Sequence, residues 1–241
     1  MGRRNTTRAT ARVIRRSHDD LRIVFQPICD LTTREVVGHE ALSRFSSGTP
    51  DEWFANAHAI GRGVELETLA ISRAIALRDD RWPYLSLNVS PRALASPTFV
   101  EFILTIPEPQ RLVLELTEHT AVGDYDTLCA AVQRVRDAGL RIAVDDAGGG
   151  VSSFRHILMV APEIIKLDRS LIADLDVHPG RQALADLLVQ FAERMGAELV
   201  AEGIERPEEL DACTRHGIRY GQGYLLGRPA SLVVDERVTR G

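Results

Sequence analysis

The run RIAVDDAGGG (Arg141–Gly150) sets two carboxylates, Asp145 and Asp146, directly side by side ahead of three glycines. Adjacent like charges raise each other's pKa unless a cation stands among them. Asp and Gly also favour turns and helix N-caps, so this pair alone decides nothing. Other polar residues recur in the same local setting. Glu40 is expected to close the second strand in VVGHEALSR, Asn88 lies near the end of YLSLNVS, and Glu115 and Glu118 finish LVLELTE. Lys166 lies in EIIKLD, Glu202 follows AELVA, and Gln222 lies in RYGQGYL. Each sits at or near the end of a short apolar, β-prone run.

Oxygen donors of this kind suit hard divalent cations such as Mg²⁺ or Mn²⁺, whereas the absence of a paired Cys/His set disfavours zinc. Glu40, Asn88, Glu115, Asp145 and Asp146 offer more oxygens than one Mg²⁺ usually takes from protein. A two-metal site follows as a hypothesis, its ions roughly 3.5–4 Å apart and sharing the aspartate pair. Such sites suit in-line displacement at phosphorus. Of 29 Lys and Arg residues only Lys166 is a lysine, which suggests a place where a compact ammonium fits and a guanidinium fork does not. Lys166 would stabilise the transition state or hold the attacking water, and Glu202 would accept its proton. An enolase-like enzyme with a lysine base is the chemical alternative, but Asn88 and the paired aspartates fit a phosphodiester site better.

The elements that must position these groups alternate along the chain. Strands are expected at Leu21–Ile28, Val36–Leu42, Leu85–Val89, Leu112–Leu116, Arg141–Val144, Ile164–Leu167, Glu198–Ala201 and Arg219–Tyr224. Helical periodicity fits Val64–Arg78, Tyr125–Ala138, Arg181–Met195 and Pro207–His216, with shorter helices at Pro97–Leu104 and Ser152–Val160. Gly139 and Gly217 are expected helix stops. The link CDLTTRE between the first two strands is too short for a helical crossover, so they should pair as an antiparallel hairpin. The fold expected is a TIM-like (β/α)8 barrel with one antiparallel strand, and a doubly wound open sheet is the alternative. In a barrel the polar residues gather at the C-terminal face, where active sites are built; independent helix caps would scatter over both ends.

Composition narrows the function. A formal net charge of −5 argues against DNA or RNA as the main partner. No apolar run approaches the roughly 20 residues that span a bilayer. Cys29, Cys129 and Cys213 are widely spaced and read as small apolar residues in a reducing cytoplasm. Residues 1–20 read as a basic, poorly ordered arm and residues 21–241 as one domain. His39, His58, His119, His156, His178 and His216 show no ligand-pair spacing and read as surface or supporting residues.

Eight motifs in order carry a resemblance: FQPI (Phe25–Ile28), EALSR (Glu40–Arg44), NVS (Asn88–Ser90), ELTE (Glu115–Glu118), DDAG (Asp145–Gly148), KLD (Lys166–Asp168), AEGIE (Ala201–Glu205) and QGYLLGRP (Gln222–Pro229). The chain resembles the EAL-domain family, bacterial cyclic di-GMP phosphodiesterases, over about Leu21 to Pro229. The resemblance implies hydrolysis of cyclic di-GMP to linear pGpG with two Mg²⁺ or Mn²⁺ ions. It makes Glu40, Asn88, Glu115, Asp145 and Asp146 metal ligands and Lys166 the holder of the attacking water. Glu202 becomes the general base or a further metal contact. Leu42 and Arg44 would line the substrate, with Arg44 on a phosphate; Gln26 would touch it, and Gln222 would assist at the site. Glu118 would anchor the loop after the paired aspartates.

That loop departs from the family, with Ala147 and Val151 where aromatic residues are usual. Lost rings remove packing, and the glycines add freedom. A non-catalytic cyclic di-GMP receptor on the same fold is therefore the alternative, although the ligand set is intact. Family members often form homodimers, and no stripe in this sequence marks an interface.

Overall fold

Alternating apolar residues make Arg22–Asp30 (β1) and Val36–Arg44 (β2) strands, and Asp30 closes the turn between them by accepting from the backbone N–H of Thr32 and Thr33 at 2.9 and 3.0 Å. The computed structural model describes residues 20–117, 124–147 and 151–231. β1 and β2 form the expected antiparallel hairpin.

From β2 onward the chain alternates. Helices α1 (Pro50–Ala59) and α2 (Gly63–Ala76) lead to β3 (Leu85–Val89), and α3 (Pro91–Leu94) and α4 (Pro97–Leu104) lead to β4 (Leu112–Leu116). Helix α5 (Tyr125–Asp137) precedes β5 (Arg141–Ala147), and α6 (Val151–Val160) precedes β6 (Ile164–Leu167). Helices α7 (Arg169–Ile172) and α8 (Pro179–Met195) lead to β7 (Glu198–Ala201), and α9 (Pro207–Arg215) to β8 (Tyr220–Gly221). The strands close in sequence order into a barrel, which excludes the open doubly wound sheet. β1 runs antiparallel to both neighbours, β2 and β8, and every other pair is parallel.

Local signals explain the helix ends. Proline stands in the first turn of α1, α3, α4, α8 and α9, where its missing N–H has no intrahelical acceptor to lose. Gly139 and Gly217 follow α5 and α9 with φ of 101° and 85°, as stops should. Helix α1, absent from the sequence expectation, is opened by a capping box in which Thr49 and Glu52 satisfy each other's backbone N–H. The last strand is shorter than expected, Tyr220–Gly221 in place of Arg219–Tyr224, because the chain turns after Gly221 to pack against Ile204. Of the expected arm at residues 1–20, residues 1–19 lie outside the described residues.

Two cores separate inside from outside. Outward strand faces pack on the helices in one large apolar cluster. A second, small cluster of Ile28, Val113, Ala143, Ile164 and Val200, joined by Tyr84, plugs the barrel interior. Side chains two residues apart share a strand face. The residues next along the interior are therefore Gln26, Ser86, Glu115, Asp145, Lys166 and Glu202, and the apolar plug is the floor of a polar chamber.

Candidate active site

Glu40, Glu115, Asp145, Lys166 and Glu202 each come from a different strand or strand end and meet in that chamber. The Lys166 ammonium lies 3.2 Å from Glu40 Oε2, 3.6 Å from Asp145 Oδ1 and 2.6 Å from Glu202 Oε1, and it donates to Glu115 Oε1 as well. Asn88 Nδ2 donates to Glu40 Oε1 at 2.8 Å. Gln222 Nε2 donates to both Glu40 Oε2 and Glu202 Oε1 at 2.8 Å. Glu115 is fully buried and Lys166 is 2% exposed, so water does little to screen these charges.

Four carboxyl groups facing one ammonium cannot all ionise at no cost. Burial works against the Lys166 charge, but Asp145, Glu115, Glu202 and Glu40 outweigh it and hold the ammonium well above its ordinary range. Burial raises Glu115 well above the usual carboxylate value, and the charge of Glu40 adds to the rise despite Lys166. Burial likewise pushes Glu202 up to about 8, against the pull of Lys166. Burial would also raise Glu40, yet Lys166 and the donors Asn88 and Gln222 carry it below its ordinary value. Glu115 and Glu202 therefore give up their protons at higher pH than ordinary carboxyl groups do.

A cation fits this chamber. Glu40, Glu115 and Glu202 each offer a carboxylate oxygen, all within 4.8 Å of one another. The donors are all oxygen, the set that Mg²⁺, Mn²⁺ or Ca²⁺ prefers. Gln222 Oε1 is buried and has no hydrogen-bond partner among the described residues, a further acceptor available to a ligand or its water.

Strand β5 bears on why two aspartates stand together. Between Val144 and Ala147 it carries one residue more than β6 does between Ile165 and Leu167, a bulge. A regular strand would send adjacent side chains to opposite faces; a bulge breaks that alternation and re-aims them. Asp145 reaches Lys166 from this bulge. The side chain of Asp146, Glu118 and the glycines of the following loop lie outside the described residues.

The other expected residues ring the chamber. Gln26 pairs with Glu40 across the hairpin and donates from Nε2 to Gly227 O at 3.1 Å. Leu42 is half-buried and Arg44 exposed at the end of β2, where Arg44 donates to Ser43 O. Neither touches the carboxylate cluster.

Two supports are absent from the sequence reading. Ser86 Oγ donates to Glu115 Oε2 at 2.7 Å. Buried Glu67 of α2 accepts from Ser90 N at 2.7 Å and Ser90 Oγ at 2.8 Å, and pairs with His58 Nε2 at 2.6 Å. It ties down the turn that follows Asn88. Glu67 falls within an amphipathic helix and Ser86 within a strand, so neither has a local signal; His58 is a supporting residue, as its unpaired spacing suggests.

Comparison with known proteins follows the same lines. The EAL domain family profile matches residues 8–229. An uncharacterized protein of Sinorhizobium fredii, y4lL, is 30% identical over 222 residues, 87% of this chain and 27% of that protein. A probable cyclic di-GMP phosphodiesterase of Escherichia coli, PdeB, is 28% identical over 225 residues, 87% of this chain and 42% of that protein. The chain thus spans less than half the length of these curated relatives. BlrP1 of Klebsiella pneumoniae, solved as a manganese and cyclic di-GMP complex, superposes with a TM-score of 0.78 at 28% identity, covering 88% of this chain and 56% of that one. It is also known as a calcium complex. The EAL enzyme Bd1971, in a form with cAMP and cyclic di-GMP bound, shares the fold with a TM-score of 0.82 at 24% identity over 96% of this chain and 68% of that one.

Proposed function

Because the chain belongs to the EAL domain family, we propose that its buried chamber hydrolyses cyclic di-GMP to linear pGpG in a metal-dependent reaction. The observation that carries the reading is the convergence of Glu40, Glu115, Asp145 and Glu202 on the single ammonium of Lys166. Glu40, Asn88, Glu115, Asp145, Asp146 and Glu202 would hold two divalent ions, Mg²⁺ or Mn²⁺. When bound, these ions supply charge neutralisation and Lewis acidity at the scissile phosphodiester.

The chain's own groups then have definite work. Water attacks phosphorus in line with the ester oxygen; one P–O bond forms and the ester P–O bond breaks, the water's proton passes to Glu202, and the leaving oxygen takes a proton from solvent. Lys166, fixed by carboxylates from several strands, holds the water in position and offers positive charge to the transition state. Glu202 is the proton acceptor. Raised to about 8 by burial in the metal-free chain, Glu202 is in its ionised form a stronger base than an ordinary carboxylate. Gln222 bridges Glu40 and Glu202 and keeps their oxygens in register. At the rim, Gln26, Leu42 and Arg44 would meet the dinucleotide, Arg44 by pairing with a phosphate.

The test is incubation of the purified protein with cyclic di-GMP and Mn²⁺ or Mg²⁺, with products resolved by chromatography and a Glu40→Ala control. Metal-dependent pGpG that vanishes in the control is the expected result. Nucleotide binding in EDTA with no product in metal would overturn it. That result would favour the receptor reading, which rests on Ala147 and Val151 standing where the family usually has aromatics.

A further inference from the structure

Glu115 presents a problem of orientation. The torsion that turns a carboxylate is broad and roughly two-fold, so its two oxygens exchange unless something distinguishes them. Glu40 is held by Asn88 and Gln222, and Glu202 by Gln222. Glu115 is fully buried, and among the described residues its side chain is held by Lys166 and Ser86. Lys166 Nζ, which also meets Glu40 and Glu202, takes Oε1; Ser86 Oγ takes Oε2.

Ser86 is built into that place. It precedes Asn88 by two residues on β3, so both share the inward face, and it is 2% exposed. In register it stands beside Glu40 on one side and Val113, a residue of the apolar floor, on the other. No bulk water reaches the Glu115 oxygens, so an alanine at position 86 would leave Oε2 a buried acceptor without a donor.

We propose that Ser86 is a positioning residue for Glu115: its hydroxyl pins one carboxylate oxygen against the barrel floor, which turns the other toward the metal. The inference rests on the metal-dependent reading above. Groups that orient metal ligands in this way typically govern affinity by about 10- to 100-fold.

The test measures Mn²⁺ binding directly, without substrate, from the free-ion electron paramagnetic resonance signal during titration of the purified protein. Ser86→Ala is expected to raise the Mn²⁺ Kd at least about 10-fold. Ser86→Thr, which keeps the hydroxyl on a β-branched side chain suited to a strand, is expected to recover most of the affinity. In a Glu115→Gln background, Ser86→Ala should have little further effect, because the two act through one contact. Equal Kd values for wild type and Ser86→Ala would overturn the proposal. So would a loss in Ser86→Ala that persists undiminished in the Glu115→Gln background. Failure of the wild type itself to bind Mn²⁺ would remove the metal-dependent reading, and with it this role.

Discussion

At the scale of single residues, Lys166 and the carboxyl groups around it set the pH behaviour. Glu202 holds its proton up to about 8 in the folded chain, but its ordinary value is 4.5. The folded state therefore binds a proton that the unfolded state has released, and stability falls as pH rises from near 4.5 towards 8. Glu115, also raised, acts in the same sense. Glu40, held below its ordinary value, contributes stability that is present above 4.5 and lost only in acid. Lys166 is raised from 10.5, so its contribution is intact throughout this window. In EDTA the melting temperature should thus be lower at pH 8.5 than at pH 6, and saturating Mn²⁺ should shrink the difference. A flat profile in EDTA would contradict the charge balance described for the chamber. Removing the ammonium by Lys166→Met is expected to lower turnover by at least about 100-fold, read as pGpG formed per enzyme at saturating metal.

At the scale of elements, the turn from β3 to α3 is the support most open to test. Glu67 accepts from Ser90 twice and pairs with His58, while the Ser90 hydroxyl caps Ala93 N at 3.1 Å. Glu67→Ala strands buried donors and should cost about 1–3 kcal/mol, read as a lower denaturation midpoint in urea. Its effect on turnover should appear mainly as weaker metal binding, through displacement of Asn88. The QGY turn after β8 is a second constraint: a Cβ on Gly223 would fall 2.1 Å from Ile204 O. Gly223→Ala must move that segment, and with it Gln222, so we expect reduced activity even at saturating metal. Legibility differed between elements for a physical reason. β3, β4, β6 and β7 are short apolar runs between clear turns, and they match expectation at both ends. Helix α1 is mostly exposed and has Ala57 as its buried residue, so no apolar stripe announces it; its evidence was the capping box at Thr49 and Glu52.

At the scale of the molecule, the chamber exists because the barrel closes on all sides. The reversed strand β1 is what joins β2 to β8, and the segment after β8 reinforces it, with Phe25 and Ala230 exchanging backbone hydrogen bonds at 2.8 and 2.9 Å. A ligand that binds only the closed barrel stabilises the whole of it. At metal concentrations about 100 times Kd the gain should be near 2.7 kcal/mol, roughly 5–10 °C in melting temperature for a domain of this size. A shift produced equally by Mn²⁺ in a Glu40→Ala variant would show that the ion acts elsewhere. Among the described residues no helix is long and apolar enough to cross a membrane.

The sequence by itself determined the alternation of strands and helices, the hairpin at the start and the placement of Asn88, Glu115, Asp145, Lys166 and Glu202 at or near strand ends, whereas Glu40, expected at the close of its strand, stands in the middle of β2. These follow from local rules: strand period, turn length and helix punctuation act within a few residues, so the order of letters records them. The tertiary structure decided which of these residues touch. That Lys166 contacts Glu40 across 126 positions of chain, that a β5 bulge carries the aspartate pair, and that Ser86 reaches Glu115 depend on barrel closure and register. Such contacts are set by long-range pairing, and a serine in a strand looks the same in sequence whether it meets a carboxylate or another backbone.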